Sequence, residues 1–465
     1  MFAPLLALSL LAAPPRAPKA VLQAPRAAAL ADLRAFLQTA STYAPTLSPG
    51  ALGRALGGAL AIDVLDPSGW AAAGLDPKGP AWAELSDSGD ALMLGVTTSK
   101  AVLARARASL PSSGAVSERK RGGATLLVAR SSTGEVTAAV AVSARRAAIW
   151  LGGADPAFLL GAVRARPPSA ERSVDGALTA RLRADGTLGM TVGLAPSARA
   201  LSVDAVVANR GSLLASGGRD AFAKLALTAP WVAHAALSRR GLSLARAQAE
   251  AMLHGLLDAP GKAFPTRQVA AVLDPLAGPV AALGTGLNPA LGKGQGVRAA
   301  YFLVRQAEAG QVRDPAQARA ALDALVKALE ANGLAVRDAQ AKAPGAHHQL
   351  SVAGRTLYFG LTGAVLYLAS DAGARDALLG ALPTSAGAEA HAGAVQVNGP
   401  LASAALGHLS IFDAAGSRAL TALFAAAVEA GPLLRTLAPT TFTLDADPRG
   451  ARLRGTLSFI PARAP

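Results

Sequence analysis

Ser117-Glu118-Arg119-Lys120 sets a lysine three residues after a serine, the spacing at which one helical turn brings an amine to a hydroxyl and makes it a nucleophile. The segment follows Pro111 and Gly114, however, and reads as an extended edge strand, where residues three apart point to opposite faces. The Lys-Thr-Gly and Ser-Asp-Asn elements that complete such a site are missing, so no nucleophile is assigned there. Gly292-Lys293-Gly294-Gln295-Gly296 has the composition of a phosphate-cradling loop. A loop of that kind must follow a strand and open a helix, so that backbone N–H groups converge on the anion. Tyr301-Phe302-Leu303 just beyond it reads as a strand, which makes the segment a flexible connector.

The six histidines are 234, 254, 347, 348, 391 and 408. His347 and His348 are adjacent, and adjacent residues of a strand face opposite ways, so they do not chelate one ion together. No His-x-His or His-Glu-x-x-His spacing occurs, and no histidine is grouped with carboxylates along the chain. Asp445-Ala446-Asp447-Pro448 has the Asp-x-Asp form of some metal-dependent transferases, but Asp-Pro followed by Arg449-Gly450 is ordinary turn chemistry between strands. The Gly-x-Ser-x-Gly elbow of many hydrolases is absent as well. These residues assign no catalytic, cofactor or metal site.

Elements that would position any site must come from a core poor in rings. Of 465 residues 51% are hydrophobic but only 4% aromatic, so packing rests on Leu, Val and Ala, and few platforms exist for stacking bases or sugars. The formal net charge of +15 raises a polyanion as partner, yet the densest basic run is Arg119-Lys120-Arg121. Diffuse charge of this kind describes a solvated surface, and a polyanion or an envelope protein remains the expected class of partner. Cysteine is absent, which excludes disulfides, thiolate metal sites and a thiol nucleophile.

Phe2 to Ala13 is a 12-residue apolar run, suited to a signal-peptide core and too short to span a bilayer. Residues 1–20 are therefore read as an export signal, which places the mature chain in the periplasm or outside the cell. No later segment reaches 18 uncharged apolar residues, so no transmembrane helix is expected. A chain of this length exceeds one core of roughly 250 to 300 residues, so two domains are expected, at 21–215 and 216–465.

Periodicity predicts helices over Ala27 to Thr39, Pro49 to Ala61 and Thr98 or Ser99 to Leu110, and strands over Ala91 to Val96, Thr125 to Ala129, Val136 to Val142 and Ala147 to Leu151. Asp155-Pro156 and Asp314-Pro315 each supply a helix cap and a first-turn proline. Gly79-Pro80-Ala81 is echoed by Gly278-Pro279-Val280, Leu92-Met93-Leu94 by Tyr301-Phe302-Leu303, Ile149-Trp150-Leu151 by Leu366-Tyr367-Leu368, and Leu159-Leu160-Gly161-Ala162 by Leu378-Leu379-Gly380-Ala381. The offsets rise in order from 199 through 209 and 217 to 219, as a duplication with small insertions requires. The expected fold is α+β: two duplicated halves, each a mainly antiparallel sheet with helices packed on one face.

The turn Leu276 to Pro279, the helix opened by Asp314-Pro315, and the Leu366-Tyr367-Leu368 strand running into Asp371 and Leu378 to Ala381 resemble exported bacterial proteins grouped as a domain of unknown function with tandem α+β repeats. The resemblance covers residues 50 to 385, and its motifs are structural, so it implies no catalytic residues. The reading that follows is a non-enzymatic binding or scaffold protein of the cell envelope. A periplasmic carrier of an apolar or lipid ligand, and a hydrolase with dispersed catalytic residues, are the alternatives. Export predicts that N-terminal sequencing of the protein from its native host starts beyond the apolar run, whereas an intact Met1 on a cytoplasmic pool contradicts it.

Overall fold

The computed structural model describes residues 19–85, 89–110, 115–152, 155–168, 173–184, 188–208, 210–215, 218–220, 222, 225, 229–257, 264–290, 296–352, 354–382, 387–389, 391–407 and 431–460. The predicted export signal lies outside them, apart from its last two residues. The chain divides into two compact units, and the division falls at the end of the strand Ala200–Ala208.

Ten strands form the sheet of the first unit: β1 (Lys19–Ala24), β2 (Ala81–Leu85), β3 (Asp90–Gly95), β4 (Val116–Arg121), β5 (Ala124–Arg130), β6 (Val136–Val142), β7 (Arg146–Gly152), β8 (Leu178–Ala184), β9 (Leu188–Pro196) and β10 (Ala200–Ala208). Neighbours run β4-β5-β6-β7-β3-β2-β1-β8-β9-β10, and every pairing is antiparallel. The β4–β5 turn is Gly122-Gly123, both at positive φ, which is the backbone a two-residue hairpin needs to match strand twist. Helices Ala28–Ser41 and Pro49–Gly57 lie between β1 and β2, Ser99–Ser109 between β3 and β4, and Leu159–Ala162 after β7.

The second unit has β12 (Trp231–Ala236), β13 (Leu276–Leu287), β14 (Val304–Val312), β15 (Val336–Asp338), β16 (Ala346–Val352), β17 (Arg355–Thr362), β18 (Val365–Ala369), β20 (Gly393–Val397), β21 (Thr440–Asp447) and β22 (Gly450–Ser458). Its antiparallel neighbours run β15-β16-β17-β18-β14-β13-β12-β20-β21-β22. Short strands β11 (Gly218–Asp220) and β19 (Gly387–Glu389) pair separately. Helices Arg239–Leu257 and Thr266–Leu273 precede β13, Gly296–Leu303 precedes β14, Pro315–Ala331 follows it, Ala372–Ala381 follows β18, and Gly399–Leu406 follows β20.

The Pro315–Ala331 helix forms as its sequence directs. Asp314 accepts hydrogen bonds from the N–H groups of Ala316 and Gln317, Pro315 takes the first turn, and Ala318, Leu322, Leu325 and Leu329 are buried along one stripe. Gly333, at a φ of +70°, ends it.

Three expectations are corrected. Helices do not lie on one face only. In the first unit Leu127, Val140 and Ile149 pack with Trp70 and Val102 on one side of the sheet, while Leu126, Ala139 and Ala148 pack with Leu159 and Leu160 on the other. Central strands that are continuous apolar runs need cover on both sides. Tyr301-Phe302-Leu303 is the end of a helix rather than a strand, since an apolar run of three is too short for its period to be read. The glycine-rich segment 292–296 consequently leads into a helix, and the mechanical ground for calling it a connector fails; residues 291–295 lie outside the described residues.

Trp70 is completely buried at the centre of the first core, so Trp70→Ala should lower unfolding free energy by about 3–5 kcal/mol. Asp314→Ala, which removes only a helix cap, should cost about 1 kcal/mol, and urea unfolding of the two variants measures the contrast.

Candidate functional site

Beneath the Pro315–Ala331 helix of the second unit, between helix and sheet, lies a cavity of about 70 Å³. Leu322, Leu325 and Leu329 come down from the helix, and Leu350, Leu357 and Phe359 rise from β16 and β17. Leu257 and Leu273 close one side. Leu253, Leu366 and Leu368 also line the cavity but are only half-buried, which marks the side nearest solvent. Leucines from the helix and from the sheet face each other across the cavity. An unfilled apolar void of this size costs about 1–2 kcal/mol, at roughly 24 cal/mol per Å³.

Among the described residues two with polar side-chain atoms line the cavity, Glu308 and Tyr367. Glu308, on β14 opposite Leu368 of β18 and Ala282 of β13, is 3% exposed. Its burial could not be read from the sequence, because it depends on β14 lying between β13 and β18. The arrangement can hold an apolar body against an almost wholly apolar wall.

The other residues considered as candidates are placed as follows. Ser117 and Lys120 lie on β4, every residue of which is exposed. Glu118 pairs with Arg107 at 3.0 Å and with Lys120 at 3.5 Å, and the Arg107 hydrogen bond holds its carboxyl below the usual value. Charged side chains on a strand edge of this kind block edge-to-edge pairing. Asp445 and Asp447 close the β21–β22 hairpin, where Asp447 accepts from the Arg449 N–H at 2.8 Å. Asp445 meets His391 Nδ1 at 2.9 Å, a histidine–carboxylate pair that 54 residues of intervening chain concealed. His408 lies outside the described residues. Among the described residues no three His, Asp or Glu side chains are grouped so as to hold a metal ion.

His347 and His348 face opposite ways, as strand geometry dictates. His347 Nε2 donates to the Ala343 carbonyl at 2.7 Å, which leaves Nδ1 to accept the Tyr367 hydroxyl at 2.8 Å. Gly360 stands between them on β17, and a Cβ there would lie 2.9 Å from the phenol oxygen and 2.1 Å from the Ala346 carbonyl. Only glycine lets the phenol cross that strand. Burial pushes the Tyr367 hydroxyl well above its ordinary pKa, so it stays a donor.

The chain matches no protein-family model, no curated protein and no solved structure. Fold and site together define a class: an α+β protein, largely antiparallel sheet with helices, with an apolar cavity under the Pro315–Ala331 helix.

His348 supplies a test of the buried strand. Burial holds its pKa below the ordinary 6.5, against an opposing pull from Asp338, 3.3 Å from Nδ1. The unfolded chain takes up this proton near pH 6.5 and the folded chain only at lower pH, so stability falls as pH drops through that window. The urea midpoint should decline from pH 7.5 to 5.5, and His348→Phe should flatten the slope by at most about 1.4 kcal/mol per pH unit.

Proposed function

We propose that this chain is an exported bacterial protein that acts by binding rather than catalysis, and that its ligand is an apolar molecule held beneath the Pro315–Ala331 helix. The observation that carries this reading is the cavity of about 70 Å³ walled by leucines from both the helix and the sheet. A void that loses contact energy when empty regains it when an apolar group enters. Its size suits roughly five water-sized groups, so the occupant is a small apolar molecule or the end of a longer chain. This favours the carrier reading over a scaffold without ligand.

We also propose that the two halves are duplicates. With the short pair β11 and β19 set aside, the strands of each unit stand in the same neighbour order, 4-5-6-7-3-2-1-8-9-10, with a helix after the third strand and another after the seventh, which supports that reading. Ile149 on β7 and Leu366 on β18 occupy equivalent places in this order. In our reading the copies have diverged: the face under Ser99–Ser109 is filled by Trp70, Leu60 and Leu75, whereas the face under Pro315–Ala331 keeps a cavity. The resemblance to exported proteins with tandem repeats belongs to this proposal.

Protein purified from its native host should release a stoichiometric apolar compound on solvent extraction, detected by mass spectrometry. Leu325→Phe, which fills the cavity, should reduce the yield at least several-fold. Clean apo protein from the native host would count against the carrier reading.

A further inference from the structure

We infer that the ligand of this cavity is a linear hydrocarbon chain that enters methyl end first, between Leu253 and the β18 pair Leu366 and Leu368, with its polar head left outside. This inference rests on the cavity being the binding site proposed above. The wall is almost wholly apolar. Glu308 has an interaction of its own within the fold, and the Tyr367 hydroxyl is hydrogen-bonded to His347, so neither is held ready for a ligand. A donor or acceptor carried into this space gives up its water and meets no partner among the described residues, which costs affinity. The part of the ligand that fills the cavity is therefore plain hydrocarbon.

Direction follows from exposure. Leu322, Leu350 and Leu357 are buried, whereas Leu253, Leu366 and Leu368 are half-buried, so the approach from water lies on the side of the last three. Magnitude decides between a small free molecule and a chain. Room for roughly five water-sized groups admits about five carbons, and each buried methylene is worth about fourfold in affinity. A molecule confined to the cavity thus gains roughly a thousandfold and binds near the millimolar range. A ligand that stays bound through purification needs more apolar contact than this. The half-buried leucines at the approach offer it to a chain that continues past them towards water.

Methyl-resolved NMR of the full chain, titrated separately with decanoate, 10-hydroxydecanoate and pentane, tests this. The two acids share head, charge and carbon count, so the attraction of either to a chain of net charge +15 cancels, and they differ only in the hydroxyl at the far end. Decanoate should shift the methyls of Leu322 and Leu357 and bind at least about tenfold more tightly than either 10-hydroxydecanoate or pentane. In Leu325→Phe, which fills the cavity, the two acids should bind within about threefold of each other. A wild type in which 10-hydroxydecanoate matches decanoate at those methyls overturns the methyl-first entry. If pentane moves the methyls and decanoate does not, or binds no more tightly, the cavity takes small molecules only; the inference then falls and the apolar site stands. If none of the three moves them, the cavity is not a binding site and both readings fall. Should Leu325→Phe not fold, the wild-type ranking alone decides.

Discussion

Leu126 and Leu127 are consecutive residues of one strand, each almost completely buried, and they point to opposite sides of their sheet. A central strand buried on both faces must be covered twice, and this constraint governs where every helix goes. Above the first sheet the chain between β1 and β2 and the Ser99–Ser109 helix form one cover, and the short turn of helix after β7 forms the other. In the second unit the Ala372–Ala381 helix packs with Ala307, Ala309 and Tyr367 on one side, and Pro315–Ala331 faces Leu350 and Leu357 on the other.

The covers are made from small residues. With aromatics at 4%, a face is filled either by an occasional ring, as Trp70 fills the first, or by leucines separated by alanines. The cavity under the Pro315–Ala331 helix is walled mostly by leucines of that helix and of the sheet. The same shortage of bulk explains how polar groups come to be buried without large distortion. Gly360 opens a lane through which Tyr367 reaches His347. His347 in this core is held by the Ala343 carbonyl and the Tyr367 hydroxyl, so its two ring nitrogens have distinct partners.

The positive charge lies elsewhere. Arg119 and Arg121 are on an exposed strand, and Glu118 already takes up Arg107 and Lys120 beside them. Within the second unit the buried Arg375 is paired with Asp376, and Arg452 with Asp447.

Much of the fold was legible in the residues. The Asp314-Pro315 cap, the stripe Ala318, Leu322, Leu325 and Leu329, and the strands at 125–129, 136–142 and 147–151 follow from local rules, because a cap bond or a period of 3.6 or 2 is complete within a few residues. Tyr301 to Leu303 was misread for the converse reason: three apolar residues satisfy a strand and a helix equally, and tertiary packing chose the helix. The absence of a contiguous catalytic motif was equally visible. The cavity was not, since Glu308, Leu322 and Leu357 meet only when β14, β17 and the Pro315–Ala331 helix are brought together. The His391–Asp445 pair depends likewise on two strands joining across 54 residues. The sequence by itself determined which segments become helices and strands, because those choices are local; the order of strands and the empty space between layers were decided by the tertiary structure, because volume left unfilled is a property of facing surfaces and of no residue alone.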